Sequence, residues 1–186
     1  MIKILDKKTI KSSVFIHYGN LGFDLSLVKK LSFFENHYNK PKRGGLWFSP
    51  INGFGWKDWC KEVEYRGFRD DYVWKMILDP EAKIIDIENP WDIEMLPLKD
   101  LIYFERLNVC SYINFKELIS QGYHGILVRV SAIDQDLGIP FSLGPTFRYW
   151  DCDTLLMFGI NGIKQIISYE SNIKNLGLEE NKRRIS

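Results

Sequence analysis

Histidine and cysteine are both scarce, with three of each in 186 residues. Cys60, Cys110 and Cys152 are odd in number, far apart and in no Cys-x-x-Cys arrangement, which argues against a disulfide framework and a structural zinc site and suits a reducing compartment. His17, His37 and His124 have no carboxylates at the spacing of a helical pair or a chelating turn, so no metal is expected. No Gly-x-Ser-x-Gly elbow is present to seat a hydrolase serine. No glycine-rich run opens a helix after a strand, which removes the commonest phosphate loops but leaves nucleotide binding itself open. No apolar run approaches the ~20 residues of a membrane span, and the lysine-rich start from Met1 to Ser13 lacks the apolar segment of a signal peptide. Charge of one sign is missing too: 25 basic and 24 acidic residues leave +1, no field for non-specific nucleic-acid binding. The expectation is a cytoplasmic protein with no membrane partner.

What is abundant is apolar and aromatic residue, 45% and 15% of the chain. That suffices for one domain, expected over residues 1–170 and followed at 171–186 by a charged, poorly periodic tail, either a frayed helix or disordered. Strands are expected near residues 2–5 and at 14–18, 46–50, 72–78, 83–87, 124–130, 146–150, 154–158 and 163–169, from β-branched and aromatic runs bounded by glycine or proline. Asp79-Pro80 reads as a turn joining two of them into a hairpin. Helices are expected after Asp24 with Leu25, Val28, Leu31 and Phe34 inward, over Trp56–Val63, and from the Asn114/Glu117 capping pair to Gly122. Residues 89–110 are ambiguous, with a helix expected near Leu98. Segregated strands and helices predict an α+β domain with largely antiparallel pairing.

The chain is organised around Gly45-Leu46-Trp47-Phe48-Ser49-Pro50 and the Gly55-Trp56-Lys57-Asp58-Trp59-Cys60 that follows. Three of its six tryptophans fall between residues 47 and 59, beside glycines that let a backbone or a flat ligand approach closely. They make either a wall for an aromatic ring or the filling of a core. His17 ends an early strand, where its ring serves either structure or function. Asp151 and Asp153 lead into a late strand, and on a strand they would share a face; the alternative is a charged turn before core residues.

In this order His17-Tyr18-Gly19, Gly45-Leu46-Trp47-Phe48-Ser49 and Asp153-Thr154-Leu155-Leu156-Met157-Phe158 resemble the ADP-ribosyltransferase superfamily in its diphtheria-toxin and poly(ADP-ribose) polymerase branch, which is related to the RNA 2′-phosphotransferases. There a histidine followed by glycine ends an early strand, an aromatic residue sits in a Gly-Ile-Tyr-Phe-Ala-like strand, and a glutamate opens a late strand. A second stacking tyrosine before a cysteine falls near Trp59-Cys60, offset by about one residue. The resemblance implies an α+β fold of two packed, mostly antiparallel sheets with peripheral helices. It implies a mono-ADP-ribosyltransferase, an effector or toxin that takes NAD⁺ as substrate, releases nicotinamide and modifies a macromolecule, a protein rather than a nucleic acid. Asp153 would stabilise the oxocarbenium-like ribose, with Asp151 the competing acid. His17 would position ribose or diphosphate oxygens. Trp47 and Trp59 would sandwich nicotinamide, and Tyr18, Gly19 and Ser49 would complete the binding set. Two departures stand out: Trp47 replaces tyrosine, and an aspartate one methylene short of glutamate can leave the carboxylate ~1 Å from its target. No Ser-x-Glu or Glu-x-Glu stands at the acid position, against the arginine-modifying toxins. A non-catalytic protein binding a nucleotide or peptide in the same groove is the alternative. A phosphotransferase would need a larger basic cluster than Lys40, Lys42 and Arg43.

Overall fold

A computed structural model describes residues 1–19, 44–68, 72–103, 108–133 and 150–168. The helix expected after Asp24, the basic turn with Lys40, Lys42 and Arg43, residues 146–149 of the strand expected at 146–150, His37 and the tail at 171–186 lie outside the described residues.

Four short α-helices and nine strands follow one another in the described chain: α1 (Lys7–Ser12), β1 (Phe15–Gly19), β2 (Leu46–Pro50), α2 (Trp56–Glu62), β3 (Tyr72–Leu78), β4 (Ile84–Ile87), α3 (Pro90–Glu94), β5 (Leu98–Tyr103), β6 (Asn108–Ile113), α4 (Phe115–Ser120), β7 (Gly125–Val128), β8 (Thr154–Met157) and β9 (Ile163–Ser168). The class is α+β. Seven strands form one mixed sheet in the order β4-β7-β8-β2-β1-β3-β9, and β5 pairs only with β6. All pairings in the large sheet are antiparallel except β4 with β7.

The expectation of two packed sheets is therefore corrected to one continuous sheet that curls. Met76 and Leu78 of β3 share an apolar cluster with Ile84 of β4 and Leu127 of β7, from the far side of the strand order. Leu5, Ile10 of α1, Phe15, Leu46, Phe48, Ala82, Leu155 and Met157 complete that core. The opposite face buries Ile85, Ile87, Ile126, Val128 and Leu156 under Ile93 of α3 and Phe115 and Leu118 of α4. Two covered faces explain why every position of β4 and β7 is buried, where a half-solvated strand would alternate.

Two local expectations also change. β3 and β4 do not form a hairpin: β3 lies between β1 and β9, while β4 runs to the other edge beside β7. Placing Ile84, Ile85 and Ile87 between two apolar layers outweighs the proximity of the Asp79-Pro80 turn. Leu98 begins strand β5, not a helix, because residues 98–103 find a full antiparallel partner in β6. The strand expected at residues 2–5 reduces to a single bridge, Ile4 with Ile85. Helix α1, absent from the sequence reading, is capped by Asp6, whose carboxylate accepts from the Thr9 backbone N–H at 2.8 Å. The capping pair at α4 forms as expected: Asn114 accepts from the Glu117 N–H at 3.3 Å, and Gly122 ends the turn at φ +82°.

Candidate functional site

The ladder between β1 and β2 is short. Only Phe15 with Pro50 and Ile16 with Ser49 are paired, although both strands continue, β1 to Gly19 and β2 back to Leu46. Beyond that point β1 pairs with β3 as far as Gly19, and β2 pairs with β8 through Leu46, Trp47 and Phe48. The sheet thus divides between its central strand, β2, and the neighbouring β1, and the division opens a cleft.

His17 stands at the division. Its Nδ1 lies 2.8 Å from the Trp47 carbonyl oxygen, a side chain serving a backbone group that the interrupted ladder no longer reaches. A carbonyl only accepts, so Nδ1 carries the hydrogen, and the neutral ring then has its acceptor lone pair on Nε2. The ring meets Phe48 edge-on at 5.8 Å.

The cleft has a volume of about 300 Å³. Its walls are Ile16, His17 and Tyr18 from β1, Trp47, Phe48 and Ser49 from β2, Trp56 from α2, and Asp151, Cys152 and Thr154 at the approach to β8. Each wall has a local cause. Trp47 alternates with Leu46 and Phe48, so while those two enter one core its indole turns the other way and packs edge-on against buried Trp150 at 5.0 Å. Ser49 is buried and accepts from the Trp56 N–H at 2.9 Å, fixing the first turn of α2 against β2. Gly55 supplies the N-cap position, and its N–H donates to Asp58 at 3.0 Å. An added Cβ at Gly55 would lie 2.9 Å from that of Ser49, so only glycine lets α2 start this close. The Tyr18 ring leans on Phe68 at 5.4 Å.

Trp56 stacks on Trp59 at 4.9 Å and 19°, and Tyr65 closes against both. Trp56 therefore forms the wall and Trp59 backs it. Buried Cys60 anchors the helix; desolvation, then the neighbouring Cys152, push its thiol up to about 11.

The two aspartates separate. Asp151 is exposed and lines the cleft, whereas Asp153 is buried and does not. The expected common face fails because β8 begins only at Thr154. Before it, the Asp153 N–H donates to the Phe54 carbonyl at 2.7 Å and its Oδ1 accepts from the Val130 N–H at 2.8 Å. Oδ2 lies 3.8 Å from Arg129 Nη1.

Of the expected site residues, the cleft brings together His17, Tyr18, Trp47, Ser49 and Asp151. Gly19 pairs with Tyr72 at the end of β1, and Gly19, Trp59 and Asp153 are not among the lining residues. Trp56, Cys152 and Thr154 were not singled out as binding residues. The helical spacing that put Trp56 beside Trp59 was the available signal for the first. Among the described residues no group of three His, Cys, Asp or Glu side chains gathers, and no helix is long and apolar enough to cross a membrane. No family model, curated protein or solved structure matches this chain.

Proposed function

We propose that the cleft binds NAD⁺, cleaves its nicotinamide–ribose bond and passes ADP-ribose to a macromolecular acceptor, so that the chain acts as a mono-ADP-ribosyltransferase. The observation that carries this reading is one cleft, at a division of the sheet, that holds a histidine, a carboxylate and two tryptophan walls from separate segments. About 300 Å³ is the lower end of small-molecule sites, which run to about 1,000 Å³, and suits a ring with its attached sugar better than a whole dinucleotide. The remainder of NAD⁺ extends outward.

Nicotinamide lies between Trp47 and Trp56, whose broad apolar faces remove its ring from water. His17 Nε2 accepts from a ribose hydroxyl, a positioning role. As the C1′–N bond breaks, its electron pair leaves with the pyridine nitrogen and positive charge grows on the ribose. The Asp151 carboxylate is drawn to that charge more strongly in the transition state than in the bound substrate, which accelerates the step. The acceptor nucleophile then bonds to C1′ and gives up its proton to solvent water. The acid role goes to Asp151, not Asp153, because Asp153 is engaged by Val130 and Arg129 away from the cleft wall. A protein acceptor fits the near-zero net charge better than a nucleic acid does.

The test is to incubate the pure protein with NAD⁺, with and without cell lysate, and follow free nicotinamide. Release that Asp151→Asn reduces by two orders of magnitude or more, with NAD⁺ binding retained, supports the reading. Binding without release by either protein points instead to a nucleotide-binding module, and neither binding nor release sinks both.

A further inference from the structure

Asp153 is, with Asp86, one of two carboxylates among the described residues that are buried and that the proposed chemistry leaves unused. Its surroundings differ from those of a charged turn. Oδ1 takes the Val130 N–H at 2.8 Å, just past the end of β7. Oδ2 faces the Arg129 guanidinium at 3.8 Å and lies so near Gly53 that a Cβ there would come to 2.6 Å of it. Its own N–H holds the Phe54 carbonyl at 2.7 Å, while the Arg129 N–H holds the Ile87 carbonyl at the end of β4 at 2.9 Å. Asp153 thus ties the exit of β7 to the loop from Ile51 to Gly55 and to the approach to β8, and the Arg129 it faces holds the exit of β4. Two of these segments carry cleft walls. The loop delivers Trp56 through Gly55, and the approach to β8 carries Asp151 and Cys152.

The Gly53 contact shows how closely the parts fit. Gly53 has φ +138°, which side-chain-bearing residues rarely adopt, and the absence of a Cβ there is what admits the carboxylate. An ionised oxygen beside a guanidinium accepts more strongly than a neutral amide, so the charge matters as well as the shape.

We propose that Asp153, held by the Val130 N–H and by Arg129, is a positioning residue that fixes Asp151 and the Trp56-bearing loop in the cleft. This rests on Asp151 being the acid of the proposed reaction. Asp153 touches no reacting atom. Its loss lets Asp151 and Trp56 drift apart, which lowers turnover more than substrate binding, since a misplacement of about 1 Å can cost about a hundredfold in rate.

The experiment compares Asp153→Asn, Arg129→Met, Arg129→Lys and Asp151→Asn with the parent chain by two measurements. The first is amide hydrogen exchange, which needs no activity. Asp153→Asn and Arg129→Met should speed exchange at the Val130 and Asp153 amides and across residues 51–56, leaving the core strands β4 and β7 protected, and Arg129→Lys should restore protection. Unchanged exchange at those amides in Asp153→Asn overturns the proposal. The second is nicotinamide release: Asp153→Asn should lower kcat roughly tenfold to a hundredfold with KM within about threefold, while Asp151→Asn removes turnover. If Asp153→Asn removes turnover and Asp151→Asn keeps it, Asp153 is the acid and the positioning role is wrong. A parent chain that releases no nicotinamide rejects the NAD⁺ reading alone, and the exchange comparison then decides whether Asp153 organises the cleft.

Discussion

His17 and Trp47 meet across the gap in the sheet, Nδ1 to carbonyl oxygen at 2.8 Å, where a continued β1–β2 ladder would have bonded backbone to backbone. The imidazole takes the place of a ladder hydrogen bond where the pairing of β1 with β2 stops. Cleft and histidine are thus one feature. His17 supports the wall formed by Trp47 and itself lines the cleft.

His17→Ala should accordingly damage two properties at once. The part-buried Trp47 carbonyl loses its donor, at a cost of about 1–3 kcal/mol, read as a lower midpoint in urea denaturation. NAD⁺ affinity should fall as well, read by titration at a urea concentration of zero where the variant is still folded. His17→Phe keeps the bulk without the donor and should retain the open gap while losing both hydrogen bonds. A His17→Phe variant as stable as the parent would show that the Trp47 contact contributes nothing measurable.

A second charged group gives a pH signature. Burial pushes the Asp86 carboxyl above the usual carboxylate range, and Glu88 adds to this while Lys3 and Arg129 oppose it. Asp86 Oδ2 has Lys3 at 3.5 Å, and Oδ1 is buried with no hydrogen-bond partner among the described residues. The folded chain therefore binds more protons than the unfolded one between the ordinary carboxylate pKa and the raised one, so this group's contribution to stability falls as pH rises through that window. Glu88 acts the other way: its hydrogen bond to Lys3 lowers its pKa, and the stability it gives at neutral pH is lost as the solution turns acid. Asp86→Asn removes the first effect and leaves the Lys3 hydrogen bond that is the largest cause of the second. The variant should be more stable than the parent at pH 7 by on the order of 1 kcal/mol, with the gap narrowing toward pH ~4, measured by urea midpoints across that range. An Asn variant less stable at pH 7 would mean that the Lys3 pairing outweighs the burial cost.

Much of this arrangement is legible in the chain, for reasons that differ by segment. β1, β2, α2 and β8 carry dense apolar runs with clear glycine or cap boundaries, so their local pattern and their final state agree. Of the tryptophan-rich stretch, Trp47 and Trp56 line the cleft, and Trp47 also packs against Trp150. What local pattern could not carry was partner choice. The run Ile84-Ile85-Asp86-Ile87 reads as a strand, but nothing near it says that it crosses to lie parallel to β7, a contact set by burial on both faces. Leu98 to Tyr103 fits helix or strand by spacing alone, and only pairing with β6 decides. The aspartates separate for the same reason. An alternating strand would have put Asp151 and Asp153 together, but capture of Asp153 by Phe54 and Val130, distant in sequence, turns the two apart.

The aromatic wall distinguishes its members by position. Trp56 lines the cleft and Trp59 lies behind it in a near-parallel stack at 4.9 Å. A ligand ring entering the cleft meets Trp56 directly, so Trp56→Ala removes a contact face as well as buried area. An aromatic pairing of this kind is worth about 0.5–1.5 kcal/mol beyond area, which predicts a three- to tenfold or larger loss of NAD⁺ affinity. Trp59→Ala removes the support and not the face. Its effect on affinity should be smaller, while its cost to stability should be similar, because each indole contacts the other and Tyr65. Fluorescence separates the two: NAD⁺ should quench the parent and Trp59→Ala, with the quench reduced in Trp56→Ala. Equal quenching in all three proteins would place the ligand away from α2 and leave Trp47 as the aromatic face in use.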